Sequence, residues 1–425
     1  VRDVQLNAVV LKKLREESKG FSKQCIAIEQ GVARIMKQQE VNGFKFDLQS
    51  ALMLLAELRE KKQAIEDEVH NTFKPKWVDD KLVKPYIKKD GDLSKRGLTD
   101  DEYQRCLDTN NFEPFMRQTL QDFNLGSRKQ IGEYLIDFGW KPERFTPTGQ
   151  PIVDEKTLSA ITHIHEAKLI ADFLLLQKRI AQVDSWVEGV QEDGRVHGFV
   201  IPNGAITGRM THRNPNMAQV PAIYSPYGKE CRACWTVEEG NVLIGVDASG
   251  LEIRMLAHYM NDEEYTNEIL NGDIHTANQK LAKLESRDKA KTFIYALMYG
   301  AGDEKLGSVV GGSTSDGKRA RQYFFDNKPT FKSLRDRVQR ASAKNYLKGL
   351  DGRKLYVRNQ HSALNTLLQG AGAIVMKQAL VMLDDVLRLN AMDYKFVANI
   401  HDEWQIEVPK DKADFIGNFA VDSIV

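Results

Sequence analysis

Cysteine is scarce: only Cys25, Cys106, Cys231 and Cys234 occur in 425 residues. That is too few for a disulfide framework and fits a reducing, cytoplasmic compartment. Cys231 and Cys234 have the spacing of half a zinc site, but no second Cys or His pair lies close in sequence, so accidental spacing is the simpler reading. An excess of one charge is also lacking. Sixty Lys and Arg stand against 59 Asp and Glu, leaving a formal +1, so any basic surface for a polyanion must be local. No stretch approaches the ~20 continuous apolar residues of a membrane span and no signal peptide is visible, which argues for a soluble intracellular protein with no membrane partner. Internal repeats and low-complexity tracts are missing too. Val1 opens directly onto an apparently helical run, "VQLNAVVLKKLREE", and "AVDSIV" stops inside another amphipathic one, so both ends are expected to be cut.

The length leaves room for two to four domains with substantial cores. Residues 48 to 70 carry helical apolar spacing with charges between, the pattern of a long exposed helix. Residues 71 to 122 then lose any sustained period, and helical patterning resumes at "SRKQIGEYLIDFG". The stretch between reads as an insertion or mobile loop on a helical scaffold.

Two acids stand out. In "FVANIHDEWQIEV", Phe396, Val397 and Ile400 lead into a corner and Trp404, Ile406 and Val408 alternate on the way out, which predicts a hairpin with His401, Asp402 and Glu403 at its turn. An acid there can be ordinary turn chemistry. In "NVLIGVDASGLEIRMLAHYM", Val242 to Val246 predict a central strand covered on both faces, ending at Asp247. The "ASG" turn then leads into a helix, for which Asp247 could be a simple cap. Paired on adjacent strands, Asp247 and Asp402 could instead share two divalent ions about 3.5 to 4 Å apart.

A third segment, "SRDKAKTFIYALMYGAGDEK", spaces Arg287, Lys291, Tyr295 and Tyr299 by four. On a helix they form one drifting face, with Ala290, Ile294 and Leu297 elsewhere. A solvated helix with docked aromatics would look similar. Two cations followed by two aromatics, however, suit a triphosphate at one end and a sugar and base at the other.

In that order, "DASGLEIR", "RDKAKTFIYALMYG" and "HDE" resemble the three polymerase motifs of family A DNA polymerases, and most resemble the replicative enzymes of podovirus-type bacteriophages. "FNLGSRKQ", "TGRMTHRNPNMAQVP" and "HSALNTLLQGAGA" match as well, and the likeness covers nearly the whole chain. It implies an α+β right-hand polymerase with a helical thumb, an antiparallel-sheet palm and helical fingers. The implied division is residues 1–24 as a remnant of an exonuclease domain or linker, 25–186 thumb, 187–254 and 353–425 palm, and 255–352 fingers. Asp3 resembles a former exonuclease ligand whose partner acids would lie upstream, so proofreading is not expected of this chain.

The resemblance also implies template-directed attack of a primer 3′-hydroxyl on a dNTP, with two Mg2+ ions (Mn2+ may substitute) held by Asp247, Asp402 and the backbone carbonyl of Ala248. Glu403 would support them. Arg287 and Lys291 would grip the β- and γ-phosphates, with His275 also on the nucleotide, and Tyr295 and Tyr299 would pack by sugar and base. Glu252 resembles a steric gate against the ribose 2′-hydroxyl. Arg209, Asn216, Asn365, Gln369 and His401 resemble residues that touch primer and template. Two departures bear on those contacts: His361 replaces the family's Arg four residues before Asn365, and Met217 and Ala218 displace a usual Gln. Residues 71–122 sit where some phage relatives recruit a processivity factor, although Lys74, Lys76, Lys81, Lys84, Lys88 and Lys89 could meet duplex phosphates directly. If phage-encoded, the protein belongs in the cytoplasm of a host bacterial cell. Alternatives are a single-subunit phage-type RNA polymerase, which would lack the acid at Glu252, a catalytically silent nucleic-acid-binding relative, and a plain helical interaction protein.

Overall fold

A computed structural model describes residues 2–425; Val1, the first residue of the expected 1–24 remnant, lies outside the described residues. The chain divides into two compact units, residues 51–184 and the remainder.

In the smaller unit, the expected long helix runs over Leu48–Thr72 and buries Leu54, Leu55, Leu58 and Val69. Phe73, Phe123, Tyr134 and Trp140 build the core beside it, with the Phe73 and Phe123 rings 5.1 Å apart edge to face. Residues 71 to 122 differ from a plain loop. Strand Lys76–Val83 pairs antiparallel with Phe115–Gln121, and a helix over Asp100–Thr109 starts at a Thr99–Glu102 capping box. Glu102 also takes an ion pair from Arg117 of the second strand. Much of the ribbon is open to water on both faces, so its sequence carries no inside–outside alternation to read. Trp77 pairs with Leu120 and Leu82 with Met116, and all four are exposed, Trp77 by 66%.

The larger unit holds a three-stranded antiparallel sheet in which Glu403–Pro409 is central, flanked by Lys395–Ile400 and Asn241–Asp247. The 241–247 strand is therefore an edge strand, half open to solvent, and not the doubly covered one its apolar run predicts. The correction follows from the pleat. Val242, Ile244 and Val246, with Trp404, Ile406 and Val408, pack on a core shared with helices Lys23–Asn42, Ala363–Leu389 and Ala413–Ile424. Leu243, Gly245, Asp247, Glu403, Gln405 and Glu407 occupy the other face. Residues 25–50, read from sequence with the thumb, thus pack with the sheet unit.

The Ala363–Leu389 helix is, with the turn before it, long and apolar enough to cross a membrane, although Asn365, Thr366, Gln369, Lys377 and Gln378 interrupt its apolar run. Some 72% of its most apolar window is buried in the protein, as a core helix requires. At Gly372 an added Cβ would come within 3.0 Å of Leu251, so glycine lets this helix approach the start of helix Leu251–Met260. A second core joins that helix to Arg287–Met298, Thr314–Asn327 and Pro329–Ala341.

Candidate active site

The predicted hairpin forms, with a tighter corner than its sequence suggests because Glu403 is already the first residue of the returning strand. Ile400 and Glu403 are paired, leaving His401 and Asp402 as the corner, and His401 takes a left-handed φ of 59°. The Asp402 carbonyl accepts a hydrogen bond from Ala248 N–H at 3.0 Å, and Glu403 stands opposite Asp247 in the register. Three acids thereby lie at one tip of the sheet, Asp247 and Glu403 on the face away from the core and Asp402 in the corner between the strands. Burial among neighbouring atoms, followed by the charges of Asp402 and Glu403, holds the Asp247 carboxyl above the usual carboxylate range. Glu403 accepts a hydrogen bond from the Gln405 amide. Among the described residues no group of three or more His, Cys, Asp or Glu is gathered as a ready-made metal site. Two aspartates and the Ala248 carbonyl are nonetheless hard oxygen donors, the chemistry that suits a hard divalent cation.

Ser286 caps the Arg287–Met298 helix, whose buried face is Ala290, Phe293, Ile294, Leu297 and Met298. Arg287, Lys291, Tyr295 and Tyr299 lie away from it. Arg287 forms an ion pair with Asp273, which caps the neighbouring helix Ile274–Ala282. Lys291 is exposed and has no ion pair among the described residues. His275 is half-buried with its Nδ1 unpartnered. Burial, then Arg287 and Lys291, lower its pKa, so the ring is neutral near pH 7. Its ring is 6.4 Å from Tyr295, which is 6.2 Å from Tyr299.

Glu252, 8% exposed, joins the two halves of the site. One oxygen accepts from the Tyr299 hydroxyl at 2.5 Å, the other from Arg209 Nη2 at 2.9 Å. Burial and then the Glu252 carboxylate push the Tyr299 phenol strongly upward. Tyr295 is raised by burial, then by Glu252 and Asp402, so it shares the field of the hairpin tip. Burial, then Arg209, lower the His401 pKa.

The remaining candidates are more scattered. Asn216 caps its own short turn through Ala218 N–H at 3.1 Å. Asn365 and Gln369, four apart on the 363–389 helix, share a face, and the buried Asn365 Oδ1 has no partner. Asp273 was missed by the sequence reading, because "GDIH" signals only a helix cap, and nothing local ties Arg209 to Glu252, 43 residues away.

A family model for DNA polymerase family A matches residues 100–424. The chain is 36% identical over 487 aligned residues to the DNA-directed DNA polymerases of Enterobacteria phage T3 and Escherichia phage T7, covering 96% of this chain and 69% of each relative. The chain belongs to DNA polymerase family A. As a DNA-directed DNA polymerase it carries out template-directed DNA synthesis, and the phage enzymes favour this over the RNA polymerase alternative. The fold of this family A polymerase is similar to that of the polymerase domain of Pol1 from M. smegmatis, solved with DNA primer-template and dNTP. The TM-score is 0.77 at 21% identity, over 93% of this chain and 66% of that one. The α+β right-hand architecture is that of the family.

Proposed function

We propose that this polymerase transfers a nucleotide at the outer tip of the three-stranded sheet, where a primer 3′-hydroxyl attacks the α-phosphate of a dNTP and pyrophosphate leaves. The observation that carries the reading is the strand register that sets Glu403 opposite Asp247, with the Ala248 N–H bonded to the Asp402 carbonyl, which brings three acids to one tip of the sheet. Asp247, Asp402 and the Ala248 carbonyl would hold two Mg2+ ions, with Mn2+ able to substitute, which when bound supply Lewis-acid charge to the hydroxyl and the triphosphate. Arg287 and Lys291 bind the β- and γ-phosphates, with neutral His275 as a hydrogen-bonding partner beside them. Tyr295 and Tyr299 flank the sugar and base. Glu252, held from two sides, closes the space of a 2′-hydroxyl. Arg209, Asn216, Asn365, Gln369 and His401 face primer and template, and the primer-template and dNTP of the M. smegmatis complex support these partners.

The 76–121 ribbon is, in the same reading, a site for a processivity factor, supported by its exposed Trp77, Leu82, Met116 and Leu120. Lys76 is tied to Asp137 and the Tyr134 ring, which leaves Lys74, Lys81, Lys84, Lys88 and Lys89 as the freer cations for direct duplex contact. The setting is replication in the cytoplasm of a host bacterium. Primer extension with dNTPs and NTPs compared, with and without a divalent ion, tests the proposal: extension should need the ion, favour dNTPs and vanish in Asp402→Asn.

A further inference from the structure

We infer that Asp273 is a positioning residue for Arg287, holding its guanidinium by one edge so that the opposite edge is presented to the triphosphate. The inference rests on the reading of Arg287 as a phosphate-binding residue. Arg287 Nε donates to Asp273 Oδ2 at 2.6 Å and Nη2 to Oδ1 at 3.2 Å. A guanidinium has five N–H groups in a fixed fork, and this side-on contact uses only two. Both Nη1–H groups and the second Nη2–H are left, and their edge is the one that meets a phosphate bidentately.

Asp273 is itself fixed. Its Oδ1 accepts from the His275 backbone N–H at 3.1 Å and its Oδ2 from Thr276 Oγ1 at 2.8 Å, as the cap of the Ile274–Ala282 helix. The start of one helix thus holds the first residue of the next. The contact also lowers the Asp273 carboxyl far below its ordinary range, through Arg287 first and Thr276 second, so it is charged at any working pH. Arg287 is 51% and Asp273 42% exposed. Water and salt screen the field that Asp273 sets against an incoming anion. They do not screen the orientation it imposes on a long side chain that would otherwise be ordered only on binding.

Asp273→Asn keeps a good helix cap but loses the charge-assisted fork. Its KM for dNTP should rise about three- to tenfold, the scale of ordering one long side chain, with kcat within about twofold of the parent. In an Arg287→Ala background the same change should add nothing. Asp273→Ser, which also caps, should behave as Asp273→Asn, and thermal melting confirms that each variant is folded. If Arg287→Ala raises KM while Asp273→Asn leaves it unchanged or lowers it, or if the two effects multiply in the double variant, the positioning role is wrong and the reading of Arg287 stands. If Arg287→Ala leaves KM unchanged, both fall together.

Discussion

Asp247 and Glu403 face each other directly across an antiparallel strand pair, and the backbone of the intervening acid, Asp402, closes the tip by accepting the Ala248 N–H. This puts three negative side chains where the fold alone gains nothing from them. The Asp247 carboxyl is raised, so in the folded chain it takes a proton more readily than when unfolded. Ionised Asp247 therefore lowers stability above its folded pKa, a cost that disappears below its unfolded value of about 3.9.

Asp247→Asn should accordingly melt slightly higher than the parent in EDTA at pH 7, by about 1–2 °C given the exposure of the site, with the gap closing as pH falls through the raised pKa. Melting curves from pH 7 down to the acid limit of folding are the check. A lower midpoint for the Asn variant would contradict the charge crowding.

The same substitution, or Asp402→Asn, should reduce primer extension by about a thousandfold or more, a loss of roughly 4 kcal/mol in transition-state stabilisation. Side-chain volume barely changes, so circular dichroism should be unaltered. Near-normal extension by either variant at ordinary magnesium would refute the assignment.

Glu252→Ala should raise ribonucleotide use relative to deoxyribonucleotide use by about tenfold or more, the scale of one lost pocket contact. Tyr299→Phe frees one of the two sides that hold Glu252 and should shift the ratio in the same direction by less. Single-nucleotide insertion of paired NTP and dNTP measures both, and an unchanged ratio in Glu252→Ala would place the gate elsewhere.

The Tyr295 hydroxyl has no protein hydrogen-bond partner among the described residues, and its raised pKa keeps it a donor at neutral pH. A dideoxynucleotide lacks the 3′-hydroxyl that would satisfy its own phosphate oxygens, and the Tyr295 phenol can replace that donor. The parent should therefore accept ddNTPs almost as readily as dNTPs. Tyr295→Phe should discriminate against ddNTPs by roughly tenfold to a hundredfold, from a missing bond of about 1–3 kcal/mol. Equal ddNTP selectivity in the two proteins would remove the hydroxyl from the mechanism.

Lys76 and Gln121 are paired at the open end of the ribbon in the smaller unit, so the residues between can be replaced by a short Gly-Ser linker without pulling apart Phe73 and Phe123. That deletion should shorten the product made per binding event and leave single-nucleotide insertion intact. Unchanged product length under single-encounter conditions would leave the ribbon with no part in processivity.

What the sequence made legible was local. Asp247 and Asp402 each end or interrupt an apolar run, and the Arg287–Tyr299 stripe repeats every four residues, so both could be found without a fold. Non-local partnerships left no such trace. Glu252 gains its two hydrogen bonds from Arg209 and Tyr299, 43 and 47 residues away, and Asp273 reaches Arg287 across a helix–helix turn. Apolar runs also misled. Val242 to Val246 look buried on both faces because Leu243, on the outer face, is apolar although 38% of it is exposed. The 76–121 ribbon showed the converse, since strands wet on both faces have no period to detect.

The alternation of the 403–409 strand ties its chemistry to its length. Trp404, Ile406 and Val408 fill the core while Glu403, Gln405 and Glu407 take the opposite face. A codon gained or lost within the strand itself would exchange the two sets beyond that point, turning carboxylates toward the apolar core and core side chains away from it. Point substitutions can explore either face separately, but a change of length spoils both at once. Insertions that enlarge this enzyme over evolutionary time therefore have to enter elsewhere, and the wet ribbon of the smaller unit, with no core side to lose, is where the chain can take them.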